Sequence, residues 1–266
     1  MKQVATPVDW LAGVKPLAPA SIDFLYADPP FNTGAAKRTP PNAHKRSLVP
    51  HAQCLVASSY PDSWPTIPHY IAWLRERLTA TLPALKPTGV IAIHCDYRTS
   101  HHIRILLDEL LGDDHFVNHL IWHYGLGGSS PRRFARKHDD ILIYAIDPDR
   151  YYFEPPMVPA TSNRLKGKLK KATDVVRVPL DAMIDIPSLN NMASERTGYP
   201  TQKPLALLDL LIRAFCPQGG TVLDPCCGSG TTLVAAISAG RNAIGFDISK
   251  NAIKVTNQRL YSLVES

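Results

Sequence analysis

Asp28-Pro29-Pro30-Phe31 and Asp224-Pro225-Cys226-Cys227-Gly228-Ser229-Gly230 each put a carboxylate at the end of a short apolar run. A carboxylate beside a backbone carbonyl, fixed by two prolines, offers two acceptors to the two N–H bonds of a planar amine. An amine conjugated to a ring is a poor nucleophile. Two acceptors draw its nitrogen toward tetrahedral geometry, which is catalysis by position and electrostatics, with no covalent enzyme intermediate. Phe31 adds a face on which a flat heterocycle can stack. The second motif seats a ligand: Gly228 and Gly230 let backbone come close, and Asp247, 17 residues beyond Gly230, is spaced to accept from ribose hydroxyls. It lacks the Gly-Lys-Ser/Thr ending of a phosphate loop and the Gly-x-Gly-x-x-Gly of dinucleotide sites, so a nucleoside without a pyrophosphate fits it better.

Strand ends must carry these groups. Ile22 to Ala27 is a buried-strand run closed by the double proline, and Thr221 to Leu223 is another, followed by a helix over Thr231 to Ala239. Asn242 to Phe246 is a strand that ends on Asp247, and a helix over Ala252 to Leu263 closes the pattern. Between the two motifs the spacing predicts helices from His69 to Leu82, Ser100 to Leu111 (stopped by Gly112) and Leu205 to Phe215. It predicts strands over Val90 to Cys95, after a Pro87-Thr88-Gly89 turn, and over Phe116 to His123 and Ile141 to Ile146. Strands alternating with helices mean an α/β fold: a mostly parallel twisted sheet with helices on both faces. Residues 1–146 read as a catalytic part and 201–266 as a cofactor part of one Rossmann-like domain. Residues 147–200, without clean periodicity, read as an inserted recognition segment, and residues 32–65 as a long functional or disordered loop.

The 266 residues, 45% hydrophobic, suit one large domain. No apolar run reaches membrane-spanning length and Met1 to Pro7 has no secretory core, so a cytoplasmic protein is expected. Five cysteines, Cys54, Cys95, Cys216, Cys226 and Cys227, are irregularly spaced and read as reduced thiols. Cys226 and Cys227 lack the gap that converges thiolates on zinc, and no metal is expected.

The chain resembles the beta class of amino-directed DNA methyltransferases. Asp28-Pro29-Pro30-Phe31, then Thr201-Gln202-Lys203-Pro204-Leu205, then Asp224 to Thr232 stand in that class's order, catalytic motif first. The resemblance implies the Rossmann-like methyltransferase fold, S-adenosylmethionine as cofactor and a base amine in double-stranded DNA as substrate. It places the cofactor's methionine part against Asp224, Pro225, Cys226, Gly228, Ser229, Gly230 and Thr231. Its ribose falls on Asp247, its carboxylate on Lys203, and its adenine amine on Asp9. Cys226 departs from the Phe usual there, and Phe31 from the usual Tyr. Asp at position 28 resembles the adenine-N6 members, cytosine-N4 being the alternative. The target must leave the duplex, at a cost of a few kcal/mol.

Net charge is +6, and basic residues crowd three polar stretches: Lys37-Arg38 to Lys45-Arg46, Arg132-Arg133 to Arg136-Lys137, and Arg164 to Lys171 with Lys168 and Lys170. Loops after parallel strands gather at one sheet edge, where these would form a cationic trough for phosphates, with residues 147–200 reading sequence. An RNA amine methyltransferase could use the same acceptor geometry, but the motif order argues against it. A DNA-binding scaffold without turnover is the other competing reading, while Pro225-Cys226 in the cofactor turn and the reversed order of Cys216-Pro217 argue against carbon-5 chemistry. A homodimer and a cognate restriction enzyme are the partners to test.

Overall fold

The computed structural model describes residues 4–34, 37–38, 59–60, 62–124, 130–159, 167–176, 197, 199 and 202–264. Lys45, Arg46, Arg164 and Lys166, and most of the 32–65 loop and of 177–200, lie outside them. In chain order the elements are β1 (Val4–Pro7), α1 (Trp10–Val14), β2 (Ile22–Ala27), β3 (Lys37–Arg38), β4 (Ser59–Tyr60), α2 (Ile67–Thr81), β5 (Leu85–Cys95), α3 (Ser100–Leu111), β6 (Phe116–His123) and β7 (His138–Ala145). There follow β8 (Met157–Pro159), β9 (Leu169–Lys171), β10 (Val175–Val176), α4 (Leu205–Phe215), β11 (Thr221–Asp224), α5 (Thr231–Ser238), β12 (Asn242–Asp247) and α6 (Lys250–Val264).

Eight strands form one sheet in the order β1-β12-β11-β2-β5-β7-β6-β10, in which β7 alone runs against the others. The expected mostly parallel sheet is present. β2 reads as an unbroken apolar run because both faces are covered. Phe24 and Tyr26 pack with α4, α5 and α6, while Ile22, Leu25 and Ala27 pack with α1, α2 and α3. Three helices therefore cover each face.

Local chemistry explains the boundaries. Thr66 caps α2, accepting from the His69 amide at 3.5 Å, and Gly112 stops α3 with φ of 110°. The 87–89 turn falls inside β5: Ile22 pairs with Leu85 but Phe24 with Val90, so residues 86–89 loop out of register. At the same end of the sheet, Asp23, 5% exposed, accepts from Lys86 Nζ at 2.8 Å and from the Thr221 amide at 2.8 Å, and so ties β2 to both neighbours.

Sequence reading missed β1 and α1. β1 is four residues at a sheet edge, held by pairing with β12, too short and mixed to show a period. The insertion is also less separate than expected, because β10 joins the main sheet beside β6. Among the described residues no helix is long and apolar enough to cross a membrane.

Candidate active site

β2 and β11 are adjacent, with Val222 beside Phe24 and Leu223 beside Leu25. They also straddle the point where the strand order reverses: the chain moves from β2 to β5 on one side and from β11 to β12 on the other. Clefts open at the carboxyl ends of strands at such a point. Here a cavity of about 590 Å³ is lined by Asp28, Pro29, Pro30 and Phe31 from the end of β2. Asp224 to Ser229 and Thr231 from the end of β11, Asp247 from β12, Asp9 and Lys203 complete that group. The two motifs, far apart in sequence, share one cleft.

The loop after β2 is strapped from both sides. Asn32, at φ of 55°, accepts the Trp64 amide at 3.0 Å, and the Thr33 hydroxyl donates to buried Asp62 at 2.5 Å. Lys203 Nζ lies 2.6 Å from Asp28 Oδ2 and 5.1 Å from the centre of the Phe31 ring. With no ligand in the cleft, the nearest anion to the Lys203 ammonium is the Asp28 carboxylate, and the two form an ion pair.

Below Phe31 lies a network that sequence reading did not find. Phe31 stacks on His94, with ring centres 5.8 Å apart and planes 28° apart. His94, fully buried, bonds Tyr26 through Nδ1 at 2.7 Å and Asp139 through Nε2 at 3.2 Å, and Tyr124 donates to Asp139 at 3.0 Å. Burial alone would raise the Asp139 pKa, but the bonds and charge from His94, Lys203 and Tyr124 leave it below the ordinary value. Burial, then the charges of Asp28 and Asp224, push the Tyr26 hydroxyl far up, so it stays a neutral donor or acceptor. Trp122 and Tyr124 extend the aromatic wall. The one signal in the sequence was Asp139-Asp140 at the head of an apolar strand; the register that sets Trp122 opposite Asp139 is tertiary.

The glycine turn is built from α6 and β12. Asp247 accepts from the Gly228 and Ser249 amides at 2.9 and 2.8 Å, and Arg259 holds the Ser229 carbonyl at 2.7 Å and the Thr231 hydroxyl at 3.0 Å. Gly228 has φ of 50°, and a Cβ there would stand 3.1 Å from the Tyr199 ring. Gly230 differs from expectation. It does not line the cleft, and the space where its Cβ would be is filled by Thr256, 2.5 Å away, so its lack of a side chain serves helix packing. Asp9 is likewise committed: one oxygen caps α1 at Leu11, 2.9 Å, and the other meets Arg77 at 3.1 Å, although the residue still lines the cleft.

Among the described residues, seven aspartates but only three cations, Arg77, Arg98 and Lys203, face the cavity. The charge shows in the titration. Asp224, 2% exposed, is pushed up to about 7 by burial, with Asp28 and Asp247 adding to the shift against hydrogen bonds from Thr232 and the Cys226 amide. Asp247 is raised for the same first reason, and the Cys226 and Cys227 thiols lie far above their usual value, hence neutral. The cleft suits a cationic ligand.

The family model described as DNA methylase matches residues 22–258. The chain belongs to the DNA methylase family. Its curated relatives include the type II methyltransferase M.HpaI of Haemophilus parainfluenzae, 27% identical over 95% of this chain and 72% of that protein. The DNA adenine methyltransferase YhdJ of Escherichia coli is 26% identical over 95% and 80%. Among solved structures, the M1.HpyAVI–SAM complex shares the fold at a TM-score of 0.61 with 22% identity, covering 98% of this chain and 99% of that one. The cytosine-N4-specific PvuII DNA methyltransferase does so at 0.67 with 14%, covering 97% and 86%.

For a DNA methylase the placement of the basic residues matters as much as the cleft. Arg132, Arg133 and Arg136 are exposed on the loop between β6 and β7, which is anchored to the cleft wall. Tyr124 donates its amide to the Lys137 carbonyl at 2.8 Å, and Arg136 lies 3.7 Å over the ring of Tyr97, between cleft residues Asp96 and Arg98. Lys168 and Lys170 lie beside and within β9, which forms a separate two-stranded ribbon with β8. β8 and β9 are tied through Ala172 to Pro156 and through Glu154 to Ala214, at the end of α4 away from Lys203. Lys37 and Arg38 lie in the short β3–β4 ribbon, their side chains outside the described residues.

Proposed function

We propose that this DNA methylase transfers a methyl group from S-adenosylmethionine to the exocyclic N6 of an adenine turned out of double-stranded DNA. One observation carries the reading: Asp28 and the turn beginning at Asp224 open on a single cleft from adjacent strands. The cofactor fits the donor set. Its sulfonium and ammonium are cations, and the glycine-turn side of the cleft presents Asp224 and Asp247, the first raised to about 7 by burial and by the neighbouring carboxylates Asp28 and Asp247. Asp224, Gly228, Ser229, Thr231 and Asp247 would hold it, with Tyr199 over Gly228. When bound, it supplies an electrophilic methyl.

The chain's own part is positional. Asp28 Oδ and the Pro29 carbonyl accept the two amine hydrogens and turn the nitrogen lone pair toward the cofactor side. Lys203 fixes the Asp28 carboxylate at 2.6 Å, and Phe31, backed by His94, stacks on the base. Asp at position 28 and the similarity to the adenine methyltransferase YhdJ support adenine; N4 of cytosine is the second reading, favoured by the fold shared with the PvuII enzyme. The type II relatives support a cognate restriction enzyme as cellular partner, and the DNA substrate supports action in the cytoplasm.

Single-molecule sequencing of DNA from cells expressing the chain tests this. Wild type is expected to leave N6-methyladenine in one sequence context, and Asp28→Ala none. Modified cytosine overturns the choice of base; unmodified DNA from a protein that binds S-adenosylmethionine overturns the enzymatic reading.

A further inference from the structure

Phe134 is 97% exposed, the most exposed large hydrophobic side chain among the described residues. It contributes nothing to the core, so its aromatic ring is a burden in water with no folding benefit. Its neighbours are cations: Arg132 and Arg133 precede it and Arg136 follows two residues later, all exposed. Nor is the loop remote. Arg136 is stacked on Tyr97 at the cleft rim and Tyr124 of the aromatic wall holds the carbonyl of Lys137, which leaves Phe134 within about 7 Å of chain from a fixed point. Phe134 thus stands in an exposed run of arginines, on a loop anchored beside the mouth of the cleft.

We propose that Phe134 is a wedge that enters the DNA base stack at the step emptied when the target turns into the cleft, while Arg132 and Arg133 hold the flanking phosphates. The chemistry matches on both counts. Guanidinium groups bring a phosphate backbone onto the loop, and an apolar ring placed at a base step is buried only when the step opens. Stacking on the orphaned neighbours offsets part of the unpairing cost that a flipped target incurs. Phe31 and Phe134 then divide the work: one stacks on the base inside the cleft, the other on the gap it leaves.

The inference rests on the DNA methyltransferase reading, and its test separates the two. Two synthetic duplexes carry the context found by sequencing, one fully paired and one with the target base opposite an abasic position. Phe134→Ala, which leaves the core untouched, is expected to slow single-turnover methylation of the paired duplex about ten- to hundredfold. On the abasic duplex, where extrusion is already easy, the loss should stay under about threefold. Phe134→Trp should keep most of the wild-type rate, and affinity for S-adenosylmethionine should be unchanged in both variants. Equal losses on the two duplexes, or no loss on either, overturn the wedge while leaving the enzyme intact. A wild-type protein that methylates neither duplex overturns the underlying reading as well, and so is told apart.

Discussion

Replacing Asp224 by Asn should make the protein more stable and useless. The carboxyl is 2% exposed and its pKa stands near 7 against an ordinary 3.8, a rise of about three units. At about 1.4 kcal/mol per unit this is a ceiling of about 4 kcal/mol of destabilisation once the group is ionised. The sign follows from proton binding. Between pH 4 and 7 the folded state keeps a proton that the unfolded chain has lost, so the contribution of Asp224 to stability falls as pH rises, and above about 7 the full penalty is present. Asn keeps the acceptor for the Cys226 amide and a partner for Thr232 without the charge. Thermal unfolding of both proteins from pH 5 to 8.5 should show Asp224→Asn gaining on wild type through this window, by up to roughly 8 °C in Tm, at about 2 °C per kcal/mol. Calorimetric titration with S-adenosylmethionine should show the reverse. Wild-type affinity should weaken toward tenfold per pH unit below about 7, because the cation must first displace the proton. Asp224→Asn should bind at least about a hundredfold more weakly at pH 7.5, the order expected for losing a buried charge pair. A stability difference that does not change with pH, or a variant less stable than wild type at pH 8, refutes the argument that a cationic ligand relieves a buried charge.

Three other outcomes follow from the geometry. Replacing Arg132 and Arg133 together by Ala should weaken binding to duplex DNA and flatten the slope of log affinity against log salt by about two, one for each phosphate contact; a superimposable salt titration rules out that contact role. Gly230→Ala should cost about 2 to 4 kcal/mol in unfolding measurements, because φ of 76° and the 2.5 Å approach to Thr256 act together, and Thr256→Ala should recover part of it. His94→Phe keeps the stacking surface under Phe31 but strands the Tyr26 hydroxyl and leaves Asp139 with Tyr124 in place of two donors. It should lose about 2 kcal/mol of stability and methylate DNA more slowly at an unchanged S-adenosylmethionine affinity, and a parallel loss of cofactor binding would place His94 elsewhere in the mechanism.

The parts of this fold that could be read from sequence are those whose signal is local. Ser100 to Leu111 was bounded by an amphipathic period and a glycine stop, and it forms with those ends. β2 and β11 announced themselves as apolar runs cut off by Asp-Pro. What escaped is through-space. The pairing of Lys203 with Asp28, 175 residues away in sequence and 2.6 Å away in space, is one that no spacing rule encodes. Asp139 and His94 meet because β7 runs antiparallel between β5 and β6, a register set by sheet assembly. Gly230 could be read as a special backbone position, but whether ligand or helix fills its missing side chain depends on where α6 lies.

Charge was the coarsest signal and the least sufficient. A net +6 predicts a polyanionic partner, yet the cleft itself is acidic, with seven aspartates against three cations. Both are needed. On the proposed function, a backbone phosphate drawn to Arg132, Arg133 and Arg136 would be repelled by the carboxylates further in, which would stop the duplex at the rim while a neutral base and a cationic methyl donor entered. That division between a mainly acidic cleft and a basic rim would decide which part of the DNA reaches Asp28. An Asp28 surrounded by arginines would bind phosphate more tightly and leave the amine outside.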